Sequence, residues 1–504
     1  MKKIFFLLAA FTIIINCYGQ TKEEYYRSGF AKNKLEDYRG AIEDYSKAIK
    51  VDADYSLAYL ARGASKVGLH DLQGAMFDYN RSIELDPSRP ENYYNRGIVK
   101  YELKDYPGAI ADYTKAIAIR PSFTTAYNNR GVAKEAMQDY SGAAADYSKI
   151  IEINPADATG YQYRAHAKAK LGDRYGAIAD WSKVIEINPT YKAYYSRGVK
   201  KASVQDYTGA IADYTKVIEL NPGYAAAYYN RAIVKILTQN YQGVMNDYNT
   251  AIELDPKYED AYFNRAVFKN VIQDYPGAKT DYDKVIEINP ARVQAYYERG
   301  IIKVRLLDLQ GALADYDKTI QIDPSGGAYF NRGLLKAELQ DYNGAITDYD
   351  KAIAADPNNL GYYWRGISKA KLLDYTGAIE DFTKAIAMNP TGAEAYYKRG
   401  NARFALQDHQ GAIMDYSKAI QLYPGYAKAY YNRGNSKSAL KDNAGAIADF
   451  TKAIEIDPEK SEAYFARGAE KLKLQQKESA CLDFRKAGEL GHTQAYETIN
   501  KFCN

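Results

Sequence analysis

Two apolar stripes of helical spacing alternate along almost the whole chain, each pair closed by a proline or a short polar turn. Between Pro90 and Pro121, Tyr93, Gly97 and Lys100 stand at i, i+4 and i+7, one face of a first helix. Asp105 interrupts the pattern, and Ala109, Ile110, Tyr113, Ala116 and Ile117 set out the face of a second. Aspartate is a good N-cap, and a proline in the first turn loses only an N–H that had no partner. Asp105-Tyr106-Pro107 and Asp274-Tyr275-Pro276 therefore predict helix starts, and Pro87, Pro121, Pro155, Pro189 and Pro222 predict stops. Gly97 and Ala109 leave room for the two helices to approach, and Tyr93, Tyr113 and Ile117 fill what remains.

This unit recurs. Aligned on the Gly-Ala pair, Gly40, Gly74, Gly108, Gly142, Gly176, Gly209, Gly243, Gly277, Gly311, Gly344, Gly377, Gly411 and Gly445, and then Ser479-Ala480, mark fourteen units at steps of 34 residues, three of them 33. They fill residues 22–490. Helix pairs this short cannot bury an apolar face alone, so each must lean on its neighbours. With Pro90 as position 1 of the third unit, Tyr93, Gly97, Ala109, Tyr113, Ala116 and Pro121 occupy positions 4, 8, 20, 24, 27 and 32. In these positions the chain resembles the tetratricopeptide-repeat family. Departures are local: Ala53 stands for proline in unit one, Trp181 for the usual ring in unit five, and Val244 for alanine in unit seven. The resemblance implies an all-α, right-handed superhelical solenoid of about fourteen helix-turn-helix repeats, long enough to exceed one superhelical turn. Residues 491–504 leave the pattern, and Thr493–Phe502 reads as a short helix capping the last apolar face.

Composition adds the same message: 51 tyrosines against 2 tryptophans is the bias of one short unit copied many times. Basic and acidic residues are nearly balanced, 67 against 63, and interleaved, so the chain lacks the basic stripe that nucleic acid demands. Residues 1–19 read as a signal peptide: Lys2 and Lys3, the apolar run Ile4–Ile15, then Cys17-Tyr18-Gly19 before cleavage at Gln20. That run is too short to span a bilayer, and no later segment is long and apolar enough. Export to the periplasm, the outer membrane or the outside follows. A lipoprotein acylated on Cys17 is the minority alternative, since Asn16 stands where a small residue is expected.

Nothing in the chain calls for catalysis. His70, His166, His409 and His492 are isolated, and no zinc, dithiol, nucleophile-elbow or phosphate-loop motif occurs, so we expect no enzyme, no cofactor and no metal. The regular charges read as structure. Position 23 is aspartate in every unit and position 7 arginine in all but the first, which has Ser28. Symmetry about the turns predicts an alternating ion-pair ladder through Arg62, Asp78, Arg96, Asp112, Arg130 and Asp146, in preference to an open anion-binding row. Cys481 and Cys503 stand at similar distances either side of Gly491, and removal of the leader leaves them alone. A disulfide and an unbridged core cysteine are equally open readings.

A second stripe on the first helix, at positions 2, 5, 9, 12 and 13, is rotated away from the packing face. The family resemblance places it on the inner, concave wall. Position 5 is aromatic in most units and asparagine often follows, a pairing that suits an extended peptide; the rings could equally pack against adjacent units. No consecutive trio carries the basic set with which some family members grip an acidic tail. The stripe is most apolar in units seven to nine, at Tyr229, Ile233, Ile236 and Leu237, then Phe263, Val267 and Val271, then Tyr297, Ile301 and Val304, with Asn230, Asn264 and Arg305 nearby. These are the candidate ligand-binding residues. A protein or peptide partner is the first expectation, a glycan on the tyrosines a variant of it, and an architectural spacer without a groove the alternative.

Overall fold

In a computed structural model, which describes residues 20–357 and 360–503, the chain is all α-helical. The leader expected at residues 1–19 lies outside the described residues. The described residues form 29 helices and no strand: fourteen consecutive pairs, from Lys22–Lys34 with Tyr38–Val51 to Ser461–Lys473 with Lys477–Glu489, and a last helix, Thr493–Phe502. Each pair packs on itself and on the next within two compact units, one ending at Tyr258 and the other beginning at Glu259. The division falls between the seventh and eighth repeats.

The turn inside each repeat is built from three positions. The first helix of repeat one ends at Lys34; the N–H of Asp37 bonds the Lys32 carbonyl and that of Glu36 the Asn33 carbonyl, a Schellman closure that requires a left-handed residue at position 15. Glu36 has φ +61°, and the same position holds a non-glycine residue with positive φ in every repeat except the fifth, which has Gly172. Position 16 then caps the second helix: Asp71 accepts from the Gly74 N–H at 2.9 Å, and eleven further repeats from Gly40 to Gly445 show the same bond. Glycine at position 19 follows from that cap, because a Cβ on Gly108 would lie 2.0 Å from the Asp105 carboxylate. The exceptions agree. Where Gln476 replaces the aspartate, no side-chain cap forms and Ser479 replaces the glycine. Where Asn240 replaces it, Gly243 turns to φ +74° and the second helix starts only at Val244.

The core is the one the stripes describe. Ala109, Tyr113, Ala116 and Ile117 are buried, with Tyr93 beside them. A Cβ on Gly97 would meet the Tyr113 ring at 2.7 Å. Repeats five, seven and eight place Ala165, Ala232 and Ala266 at this position, so the ring yields to one methyl but has no room for more. The proline stops are weaker signals than they look. Arg120, before Pro121, is extended at φ −127°, ψ 91°, as residues before proline prefer. Asp52, before Ala53, adopts φ −139°, ψ 101° with no proline to force it.

The last helix covers the end of the second unit as a partial fifteenth repeat. Ala495 is fully buried, Tyr496 donates to the Gly488 carbonyl at 3.0 Å, and the His492 ring stacks on Phe465 at 4.2 Å. Cys503 is bonded to Cys481, with Cα atoms 5.6 Å apart.

The left-handed position gives a stability test. Leu373 has φ +65° and is 70% exposed. Leu373→Gly should stabilise the chain by about 0.5 kcal/mol, the left-handed cost of roughly 1–2 kcal/mol less the roughly 0.4–1 kcal/mol by which glycine favours the unfolded chain. Urea unfolding reads the difference, and a destabilised variant would refute the strain argument.

Candidate functional site

The regular charges are consumed inside the fold. In repeat two, Arg62 forks onto Asp78, Nε to Oδ2 at 2.9 Å and Nη2 to Oδ1 at 2.7 Å, and Lys66 adds a third donor at 2.8 Å. The fork recurs in all thirteen arginine-bearing repeats. Repeat one substitutes the Ser28 hydroxyl and Lys32. The alternation expected through Arg62, Asp78 and Arg96 is corrected by these contacts. Arg96 does not return to Asp78; it forks onto Asp112 and sends Nη1 back to Asn80, 2.8 Å away on the preceding repeat's second helix. Arg62 reaches Ser46 and Arg130 reaches Thr114 in the same way, while Arg130 forks onto Asp146. An aspartate as deeply buried as Asp78 has no room for a second arginine once the Arg62 fork holds both oxygens and Lys66 shares Oδ2, so the link to the neighbour passes to a hydroxyl, amide or carboxylate at position 25.

The aromatic stripe divides between packing and surface. Tyr94 lies 4.9 Å from Phe123 and 5.9 Å from Tyr113, ring centre to ring centre, and its hydroxyl accepts from Asn129 of the next repeat at 3.2 Å. Asn230 donates to Tyr195, Asn331 to Tyr297 and Asn432 to Tyr397 in the same relation. These amides fasten one repeat to the next, a role that competes with bonding a ligand backbone. Glu298 occupies the corresponding position after Phe263, which has no hydroxyl. It has no ion pair or hydrogen bond among the described residues, and burial raises its carboxyl above the ordinary glutamate range.

The candidate binding residues fall in both units. Tyr229, Asn230, Ile233, Ile236 and Leu237 lie on Ala225–Leu237 in the first. Tyr229 packs against Tyr258 at 4.9 Å, Ile233 and Ile236 are half-buried, and Leu237 is exposed. Phe263, Asn264, Val267 and Val271 lie on Glu259–Val271 in the second, with Phe263 held between Tyr282 and the Arg292 guanidinium and both valines exposed. Tyr297, Ile301, Val304 and Arg305 lie on Val293–Arg305, and the last three do meet. With Leu307, Tyr316, Asn331, Leu334, Leu335 and Glu338 they line a recess of about 590 Å³ between repeats nine and ten.

A narrower recess of about 220 Å³ stands at equivalent positions in the first unit, lined by Ile98, Tyr101, Glu102, Tyr113, Asn129 and Val132. Tyr101 at position 12, where repeat nine has Val304, accounts for the smaller space. The tenth-repeat wall and these first-unit residues were missed by a reading confined to the most apolar stretch; carrying positions 9, 12 and 13 through every unit would have found them. A third cleft, of about 440 Å³ and mostly polar, lies between repeats twelve and thirteen, with Glu394, Tyr397, Lys398, Asn401, Tyr426 and Asp457 among its walls. No group of acidic, histidine or cysteine side chains suited to a metal occurs among the described residues.

Family models described as tetratricopeptide repeat match residues 25–55, 124–157, 326–359, 363–427 and 427–460, and one described as TPR repeat matches 99–138. Among similar solved structures, the crystal structure of MamA is 33% identical, covering 32% of this chain and 96% of its own, with a TM-score of 0.31. YrrB, described as a TPR protein with an unusual peptide-binding site, is 21% identical over 36% of this chain and 95% of its own, TM-score 0.33. A tetratricopeptide repeat protein from Parabacteroides merdae is 23% identical over 49% and 99%, TM-score 0.36. No curated protein matches the chain.

Two predictions follow from the charges. Asp146→Ala strands Arg130 and Lys134 and should cost about 3 kcal/mol in urea unfolding, while Arg130→Lys, which cannot fork and reach Thr114 together, should cost about 2 kcal/mol. Equal stability of the two variants would deny the arginine its double role. Glu298 works in the opposite sense. Its folded pKa lies above its unfolded one, so the destabilisation is absent at low pH and complete once pH exceeds the folded value. Glu298→Gln should therefore raise the thermal midpoint at pH 7 and leave it unchanged at pH 3.

Proposed function

Because the chain belongs to the tetratricopeptide-repeat family, we propose that it is a non-enzymatic, exported scaffold of the cell envelope that holds an extended segment of a partner protein along the open face of its first helices. The observation that carries this reading is the recess that recurs, at the same repeat positions, in both compact units. Pockets built at equivalent repeat positions suit a chain-like ligand, because each takes one side chain of an extended segment. On the first-helix face Leu237, Val267 and Val271 remain exposed after the core is satisfied. Export rests on the pattern of Lys2, Lys3 and the run Ile4–Ile15.

A second reading has one observation behind it. The cleft between repeats twelve and thirteen sets the Tyr397 and Tyr426 rings 4.8 Å apart among carboxylates, an amide and a lysine, which suits a sugar ring better than an apolar side chain.

Protein purified from the native host, with an intact mass starting at Gln20, should capture a partner from an envelope extract. Ile98→Asp together with Ile301→Asp should abolish that capture and leave the circular-dichroism melt near wild type, since both side chains border recesses and neither belongs to the buried core. Capture that survives both aspartates but is lost with Tyr397→Ala would transfer the function to the glycan reading. No capture by the wild type would leave a spacer.

A further inference from the structure

Three features of the recess between repeats nine and ten bear on what it can hold. First, it breaks the left-handed turn position in a costly manner. Position 15 is glutamine or lysine in most repeats and glycine in the fifth, but two repeats place leucine there, Leu373 in the eleventh and Leu307 in the ninth, the latter at φ +60° and 83% exposed. A branched apolar side chain held in a disfavoured backbone conformation and left in water is destabilising twice over, and it stands on the wall of the recess. Second, the floor carries a tyrosine hydroxyl without a mate, as the same repeat position does at Tyr147, Tyr248, Tyr282 and Tyr349. Tyr316 is only 2% exposed, lines the recess, and its hydroxyl makes no hydrogen bond among the described residues. Third, the rim is charged with opposite signs. Arg305 ends the first helix of repeat nine and Glu338 that of repeat ten; both are exposed, and neither forms an ion pair among the described residues.

From these we infer that the recess is a side-chain pocket for one aromatic residue with a polar tip, tryptophan or tyrosine, in an extended partner segment that carries an acidic residue on the Arg305 side and a basic residue on the Glu338 side. The inference rests on the peptide-scaffold reading and deepens it. Ile301 and Leu334 supply apolar walls for the ring, and the Tyr316 hydroxyl meets the indole N–H or phenol O–H, which needs a partner once buried. Arg305 and Glu338 set the direction of the segment, because reversing it would place like charges together. Leu307 closes over the ring, and its desolvation on binding recovers what its exposure costs in the free protein.

Selection from a random peptide library on the full mature chain tests this. Enriched peptides should share tryptophan or tyrosine between an acidic and a basic flank, and tryptophan to alanine in the best of them should weaken binding about 30-fold. Leu307→Gly should raise the unfolding midpoint and weaken that peptide about tenfold, whereas Leu373→Gly, at the same turn position, should raise the midpoint and leave affinity unchanged. The double exchange Arg305→Glu with Glu338→Arg should enrich the reversed charge order. The inference is overturned if enriched peptides lack the pattern, or if affinity ignores both Leu307→Gly and the exchange. If envelope-partner capture stays sensitive to Ile98→Asp with Ile301→Asp while no such peptide binds, only this pocket assignment falls. If capture itself fails, the scaffold reading falls with it.

Discussion

The fold depends on fourteen buried aspartates, one per repeat, none more than 5% exposed. An unpaired carboxylate in such a place would be severely destabilising, so each must be given its donors by geometry that leaves little freedom. The arginine fork and the position-11 lysine, or Arg403 in repeat twelve, occupy both carboxylate oxygens. The same guanidinium lies over the tyrosine at position 4, as Arg130 does over Tyr127 at 5.5 Å. Its remaining nitrogen reaches the preceding repeat. One side chain therefore locks a helix pair and fixes the distance to its neighbour, so the order of a repeat and the order of the stack are one constraint.

That constraint decides which surface is left for recognition. Arginine, lysine and aspartate, the residues that would most readily bind an anion or a cation, are spent inside the helix pairs. The tyrosines at position 5 and the asparagines at position 6 are largely spent between repeats, as Tyr195 with Asn230 and Tyr297 with Asn331. Positions 9, 12 and 13 of the first helix carry such duties in late repeats, as Asn401 with Asn432 and Ser438 with Glu470, but not around the two apolar recesses. Their side chains are free to differ from one repeat to the next, and they line both apolar recesses.

Much of this was legible from residues alone, and what was missed has physical causes. Helix pairs, their caps and the core ring at position 24 follow from periodicity and from Asp105, Gly108 and Tyr113, because those preferences are local. The pairing of Arg62 with Asp78 follows from symmetry about a turn. The direction of the next link does not, because it depends on how far Arg96 must reach past Asp78 to Asn80, a matter of stacking distance rather than sequence spacing. The basic residue at position 11 was visible in every unit and is the signal that the aspartate was already saturated. The recess between repeats nine and ten depends on a cross-repeat juxtaposition, Val304 against Leu334, that no single-helix stripe contains.

Strict repetition also makes departures informative. A position that serves only packing is free to take the same residue in every repeat, so a residue that breaks the rule at a stability cost requires another reason. Gly172 in place of a left-handed side chain lowers strain and needs none. Gln476 with Ser479 is a compensated pair, since losing the aspartate cap removes the demand for glycine. Leu307 and Glu298 are uncompensated: one adds strain and exposed apolar surface, the other places a half-buried carboxylate where repeats four, seven, ten and thirteen have an amide bonded to tyrosine. Both belong to repeat nine, whose first helix forms one wall of the recess that Ile301 and Leu334 line. Two such costs meeting in a repeat that walls a recess are what a binding site leaves behind, because recognition requires groups that the folded chain by itself does not satisfy.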